Sequence, residues 1–269
     1  MLEQIKETTS YIKSRIDFTP EIGIILGTGL GGMVREINSS LMLDYEDIPN
    51  FPVSTVEGHH GKLIFGTIYG KKIIAMQGRF HYYEGYTTQK VTFPVRVMKY
   101  LGIQYLFVSN ASGGVNPDYA IGDLMILNDH INLIPNPLIG KHYPEFGARF
   151  PDMSNTYDKK LISKALEIAR KKEISVQLGC YVATPGPTLE TPKEYEHFRI
   201  IGGDAVGMST VPEIIVAHQM GITCFAISII TDLGVPGKIV KVTLADVQNV
   251  ASEAEPKMTL IMKELIAGL

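Results

Sequence analysis

Apolar residues fall in short runs separated by polar, glycine-bearing segments. Runs rich in β-branched and aromatic residues occur at Ile22 to Leu26, Leu63 to Ile68, Ile73 to Met76, Tyr105 to Ser109, Leu124 to Leu127, Cys180 to Ala183 and Thr223 to Ile230. Their length and composition predict buried strands. Tyr69-Gly70 lies between the second and third runs, so those two form a hairpin. Helical spacing appears elsewhere. Leu2, Ile5, Ile12 and Ile16 share one face, and Leu161, Ala165, Leu166 and Ile168-Ala169 recur before a basic end, Arg170-Lys171-Lys172, as a helix C-terminus prefers. Val247, Val250, Ala254, Met258, Ile261, Met262 and Leu265 mark a closing helix. Strands alternating with helices predict an α/β fold with a mixed sheet flanked by helices. No linker-like segment or repeat divides the chain, so residues 1–269 read as a single domain.

Composition narrows the function. The chain has 25 Lys+Arg against 28 Asp+Glu, a net charge of −3, which excludes nucleic acid held by bulk charge. At 45% hydrophobic and 20% charged residues it suits a globular protein with a sizeable core. Charges at Glu3, Lys6, Glu7, Lys13 and Arg15 leave no signal-peptide core. The apolar stretch from Ile214 to Ile230 is broken by His218, Gln219, Thr223 and Ser228, too polar for a membrane span. Cys180 and Cys224 sit in apolar runs without metal-ligand spacing, which predicts buried free thiols and a cytoplasmic setting. Glycine is the outlier: 26 of 269 residues is roughly 10%, above the ~7% average.

Many of those glycines follow the strands. Leu26 leads into Gly27-Thr28-Gly29, Met76 into Gln77-Gly78-Arg79-Phe80-His81, and Ser109 into Asn110-Ala111-Ser112-Gly113-Gly114. Ala183 leads into the segment from Thr184 to Leu189-Glu190, Ala205-Val206 into Gly207-Met208-Ser209, and Ile230 into Thr231-Asp232. Ligands of open α/β sheets bind beyond the carboxyl ends of strands. Six ends carrying small, polar or ionisable residues predict one composite site.

Each motif also has a plain structural reading. Gly27-Thr28-Gly29-Leu30-Gly31-Gly32 precedes a short helical stretch, where bare backbone N–H groups and a helix N-terminus suit an anion. It also satisfies G-x-G-x-x-G, with Asp44 downstream, so a nicotinamide-dependent oxidoreductase is a different-class alternative; a tight turn without ligand is the plain one. Glu57 to Gly61, "EGHHG", pairs two histidines, but adjacent residues on an extended chain point apart and no third ligand is near, so no metal is expected. In "QGRFHYYEGY", Arg79 offers a planar fork for an oxyanion and His81 a donor or acceptor near neutral pH, or else the segment is a buried ion pair among core tyrosines. Glu190 and Asp232 suit the N–H groups of a heterocycle, or serve as a helix cap and a turn.

Taken together, these motifs resemble the trimeric, low-molecular-mass purine nucleoside phosphorylases. The matches are "LGTGLGG" from Leu26, "GRFHYYEGY" from Gly78, "KVTFPVR" from Lys90, "NASGGVN" from Asn110, "GPTLETP" from Gly186 and "DAVGMSTVPE" from Asp204. The resemblance implies the nucleoside phosphorylase fold and reversible phosphorolysis of purine (deoxy)ribonucleosides, with phosphate as co-substrate and no metal or organic cofactor. It places phosphate against Thr28, His59, Arg79, His81, the Ala111 backbone and Ser209, ribose on Tyr83 and Met208, and the base on Glu190 and Asp232. His81, Glu190 and Asp232 are thereby the candidate catalytic residues. Phe150 matches an aromatic lent to the neighbouring subunit's pocket, which implies a homotrimer.

Several positions depart from that family. Thr28 replaces a common serine and keeps its hydroxyl. Leu189 replaces an aromatic beside the base. Asp232 stands where members specific for 6-oxopurines have asparagine, and an ionised carboxylate accepts a hydrogen bond from a 6-amino group but donates none. Leu244 falls where a histidine contacts the ribose 5′-hydroxyl, and an apolar residue tolerates a 5′-methylthio group. A 5′-methylthioadenosine/adenosine phosphorylase on the same fold is therefore the second enzyme reading, and a non-catalytic nucleoside-binding protein a third.

Overall fold

The structure, a computed structural model, describes residues 1–27, 30–53 and 61–269. Its strands are β1 (Ile22–Leu26), β2 (Asn38–Asp44), β3 (Lys62–Ile68), β4 (Lys71–Gln77), β5 (Tyr105–Gly114), β6 (Leu124–Asn132), β7 (Val176–Ala183), β8 (Ala205–Gly207) and β9 (Thr223–Leu233). The helices are α1 (Leu2–Lys13), α2 (Thr88–Val91), α3 (Phe93–Leu101), α4 (Lys159–Lys171), α5 (Pro192–Ile200), α6 (Val211–Gln219) and α7 (Leu244–Ala267). Every residue of β1 is buried, as a central strand covered on both faces must be. Asp158 caps α4 by accepting from the Leu161 N–H, and α4 turns Leu161, Ile162, Ala165 and Ala169 inward. The Tyr69-Gly70 turn has φ of 49° and 78°, the left-handed pair that matches the twist of a two-residue hairpin.

One nine-stranded mixed sheet runs β2-β3-β4-β1-β5-β8-β7-β6-β9, with β5 also paired to β9. The extra pairing curls β5, β9, β6, β7 and β8 into a closed ring, while β2, β3, β4 and β1 extend from it as an open wing. Strands β4, β1, β5 and β9 are mutually parallel, so their carboxyl ends share one edge. β8 is antiparallel to β5 through Gly113↔Val206 and Gly114↔Ala205, and this brings Gly207, Met208 and Ser209 to the same place.

Two elements differ from the sequence reading. β5 does not stop at Ser109; it continues through the "NASGG" segment, because Gly113 and Gly114 pair with Asp232 and Leu233 of β9 on one side and with β8 on the other. A Cβ at Gly113 would lie 2.9 Å from Asp232 Oδ2, so this glycine admits the carboxyl. β2 has no apolar run to announce it: its outer residues are exposed, and it is held at the sheet edge by pairing with β3. Among the described residues no helix is long and apolar enough to cross a membrane.

Candidate active site

The shared strand edge opens on a cavity of about 580 Å³. Arg79, His81, Tyr83, Ala111, Leu189, Glu190, Met208, Ser209, Asp232 and Leu244 all line it. Ten side chains from six chain segments thus meet: five of the segments are strand ends that the pattern singles out, the sixth is the start of α7, and Gly27 is not in the lining.

One end of the cavity is built on Arg79. Its side chain is 1% exposed; Nη1 donates to the Ser109 carbonyl at 2.9 Å and to Ser209 Oγ at 3.1 Å. Its other edge makes a two-point contact with Glu213 on α6, Nη2 to Oε2 at 2.8 Å and Nε to Oε1 at 3.3 Å. The planar fork is thereby held in one orientation before any ligand arrives. Burial raises the Glu213 pKa while Arg79 opposes that rise. Thr210, between Ser209 and α6, has φ of 68°, a left-handed conformation that costs about 1–3 kcal/mol for a branched residue. Its hydroxyl accepts from Asn110 Nδ2 at 2.9 Å, tying β5 to the segment that aims Ser209.

His81 packs beside this end. Its Nδ1 lies 3.1 Å from Glu84 Oε1, and its backbone N–H donates to the same oxygen at 2.7 Å. The His81 pKa is lowered, first by burial and also by Arg79, against the pull of Glu84. The ring is accordingly neutral at pH 7, with the carboxylate favouring a proton on Nδ1. Tyr83 stacks on it, centroids 4.7 Å apart, and burial pushes the Tyr83 hydroxyl up to about 12, so it stays a hydrogen-bond donor.

The opposite end is acidic. Asp232 Oδ1 accepts from Thr231 Oγ1 at 3.0 Å, and Oδ2 from the Tyr195 hydroxyl at 3.4 Å. Glu190 Oε1 takes the Thr184 hydroxyl at 3.4 Å. Burial raises both carboxyl pKa values, and the Asp232 charge raises that of Glu190 further. Glu190 is not a helix cap: Thr191 caps α5 through a reciprocal pair with Glu194. Met208 lies between the two ends, its sulfur in the space a Cβ on Gly186 would take.

Thr28 and His59 fall outside the described residues, as does the histidine pair of the "EGHHG" segment. Phe150 is 88% exposed, away from this cavity, with Arg149 over its ring. The dinucleotide reading loses its two anchors: Asp44 pairs with Lys62 at 2.7 Å, and the Gly32 N–H donates to Glu255 of α7. Both cysteines are free thiols, but only Cys224 is buried as expected; Cys180, on β7, is half-buried, and desolvation pushes both up to about 12. Among the described residues no group of His, Cys, Asp and Glu could hold a metal ion. Glu213, Glu84 and Tyr195 are absent from the expected set. Glu213 had a signal, a lone carboxylate inside the apolar run from Val211 to Ala217, which a fold cannot bury without a cation.

An end of pre-oriented donors on Arg79 and Ser209 and a carboxyl-lined end suit the transfer of a group between an oxyanion and a hydrogen-bonding ring. The family model of the phosphorylase superfamily matches residues 21–267, and the chain belongs to that superfamily. Purine nucleoside phosphorylase 1 of Bacillus subtilis (strain 168) is 55% identical over 233 residues, 86% of each chain. Two solved structures from Schistosoma mansoni are similar throughout. Purine nucleoside phosphorylase in complex with adenosine has a TM-score of 0.94 at 40% identity, covering 99% of this chain and 97% of that one. Isoform 2 in complex with cytosine and ribose-1-phosphate has a TM-score of 0.95 at 41% identity, covering 99% and 96%.

Proposed function

We propose that this protein is a purine nucleoside phosphorylase, releasing free base and (deoxy)ribose 1-phosphate from purine (deoxy)ribonucleosides and phosphate. The observation that carries the reading is the placement of a pre-oriented Arg79–Ser209 pair and the Glu190–Asp232 pair on one cavity. Phosphate takes the first end, with Arg79, Ser209, His81, the Ala111 backbone, Thr28 and His59 as its contacts. Ribose lies across Tyr83 and Met208, and the base meets Glu190, Asp232 and Leu189. A phosphate oxygen attacks C1′ as the bond to the purine nitrogen breaks, so the sugar passes through a cationic state and the purine accepts the electron pair. Fixed donors at one end hold the attacking oxyanion, and at the other a carboxyl whose protonated form is favoured by burial donates to the ring as it takes up the electron pair. Phosphate is the only co-substrate this chemistry needs, with no metal or organic cofactor.

Phosphorolysis of inosine, guanosine, adenosine and 5′-methylthioadenosine, each with and without phosphate, tests the reading. Base release that requires phosphate supports it, and no release from any of the four overturns it. Turnover of 5′-methylthioadenosine above the others would favour the second enzyme reading, which Leu244 on the cavity wall supports. Asp232→Asn is expected to raise the inosine-to-adenosine ratio of kcat/KM by about 10- to 100-fold, since one hydrogen bond to a charged group is exchanged for an amide donor. An unchanged ratio would show that Asp232 does not read the 6-position.

The exposed Phe150 ring supports a homotrimer in which each copy completes its neighbour's pocket, in a cytoplasmic enzyme. Light scattering is expected to give three times 29.7 kDa. Phe150→Ala should weaken nucleoside KM without altering phosphate KM, and an active monomer would remove this role.

A further inference from the structure

Between β8 and α6 the chain reverses within Ser209-Thr210-Val211. The Val211 N–H donates to the Ser209 carbonyl at 2.8 Å, and Thr210 at the centre has φ of 68° and ψ of −57°. These are the angles of the γ-turn with positive φ, its rare and strained form. A β-branched residue suits that conformation poorly, and the side chain does not offset the strain in the usual way. Thr210 holds the N-cap position of α6, where a threonine hydroxyl ordinarily accepts from an N–H of the first turn, yet it makes no such bond. The hydroxyl is turned toward the cavity wall instead: it accepts from Asn110 Nδ2 at 2.9 Å and lies 3.3 Å from Ser209 Oγ. Thr210 is fully buried and Asn110 is 1% exposed, so both groups are withdrawn from bulk water.

Counting donors gives these contacts a direction. Thr210 Oγ1 receives an amide proton from Asn110, and Ser209 Oγ receives one from Arg79 Nη1. Each hydroxyl has one proton of its own. If Ser209 gave its proton to Thr210, the Thr210 proton would be buried with no acceptor among the described residues, a costly state. If Thr210 gives its proton to Ser209, both hydroxyls are satisfied and the Ser209 proton remains for a ligand in the cavity. The second order also aims a donor at an oxyanion, where the first would aim an acceptor. The Tyr181 hydroxyl, beneath Gly207, makes no hydrogen bond that would alter the count.

We propose that Thr210 is a positioning residue for the phosphate end: the strained turn and the chain from Asn110 N–H to Thr210 O–H to Ser209 Oγ hold the Ser209 hydroxyl with its proton directed at the phosphate. This rests on the phosphorylase reading above. Thr210 itself, fully buried, touches no ligand. It supplies orientation, because a serine hydroxyl rotates about its own bond, and accepting from both Arg79 and Thr210 leaves one direction for its proton. A donor fixed before the ligand arrives costs no reorganisation during reaction. The tight turn has a second use. It starts α6 at once after Ser209, so that Ser209 and Glu213, four residues apart, contact opposite edges of the Arg79 guanidinium.

The test measures kcat, phosphate KM and nucleoside KM, with whichever of the four nucleosides above turns over fastest, in the full-length enzyme and its variants. Thr210→Val keeps the branched shape and removes the hydroxyl. Phosphate KM is expected to rise about tenfold, the scale of one hydrogen bond to a charged group, while nucleoside KM stays within about twofold. Thr210→Ala, which suits a positive φ better, makes the same measurement should the valine variant not fold. Thr210→Ser retains the hydroxyl and should keep phosphate KM within about twofold of the unaltered enzyme. In Ser209→Ala the chain has nothing to act on, so adding Thr210→Val should move phosphate KM by less than about twofold. Equal rises for phosphate and nucleoside, the mark of a residue that only supports the fold, overturn the proposal. So does an unchanged phosphate KM in Thr210→Val, a serine variant that behaves like the valine one, or a rise of the same size in the Ser209→Ala background. No phosphate-dependent base release by the unaltered enzyme would instead overturn the phosphorylase reading, and the positioning role with it.

Discussion

Replacing Arg79 with alanine is expected to lower kcat/KM for phosphate by about 10²- to 10³-fold, the order of loss seen when one pre-oriented donor to a reacting oxyanion is removed. A second effect accompanies it. Arg79 is the partner of Glu213, whose side chain is 3% exposed, and stripping one member of a buried ion pair costs about 3–5 kcal/mol because the other is left charged and dry. Arg79→Ala should therefore unfold well below the unaltered protein in a thermal melt. The two losses separate in a double variant. Arg79→Met with Glu213→Leu replaces the pair by apolar side chains of similar volume, and such exchanges are neutral or stabilising. The double variant should recover most of the melting temperature and none of the phosphate-dependent activity. Activity recovered along with stability would mean that Arg79 supports the fold alone. Steady-state kinetics at varied phosphate and calorimetry on the same samples supply both readings.

Arg79 also illustrates what the sequence makes legible. The strands announce themselves by apolar runs, and their carboxyl ends by the small and ionisable residues after each, so the edge on which the site forms follows from pattern and a general rule of α/β sheets. Depth along that edge does not follow. "NASGG" reads as a loop because glycines and small polar residues favour turns, yet those residues extend β5. Bare backbone is what lets three strands and the Asp232 carboxyl crowd together there. Positions that act through another residue are harder still. Glu84 holds His81 from three residues away, but only the local helical turn reveals the contact. Tyr195 sits in an amphipathic helix, where an aromatic reads as packing, and its partner is 37 residues distant. Phe150 differs again: the sequence singles it out only through resemblance, and within one chain its ring is exposed and takes no part in lining the cavity.

Glu190→Ala is the substitution that most directly tests the base end. The loss expected in kcat/KM for a 6-oxopurine nucleoside is about 10²- to 10³-fold, since a pre-positioned carboxylate that accepts the N1–H is removed from a half-buried site. The fold should tolerate the change. Thr191 and Glu194 cap α5 without help from Glu190, and among the described residues its hydroxyl partner is Thr184 at 3.4 Å, a long contact whose loss is small. Removing a carboxyl whose pKa is raised by burial and by Asp232 also relieves like-charge repulsion. The melting temperature should accordingly hold or rise while turnover collapses, the reverse of the Arg79→Ala pattern. Phosphate KM should change little, because Arg79 and Ser209 lie at the far end of the cavity. Glu190→Gln sharpens the point: an amide donates to the bare N1 of adenosine but has only its oxygen, uncharged, for the N1–H of inosine. Its loss should be greater on inosine than on adenosine. Equal losses on both nucleosides would show that Glu190 holds the base without reading it.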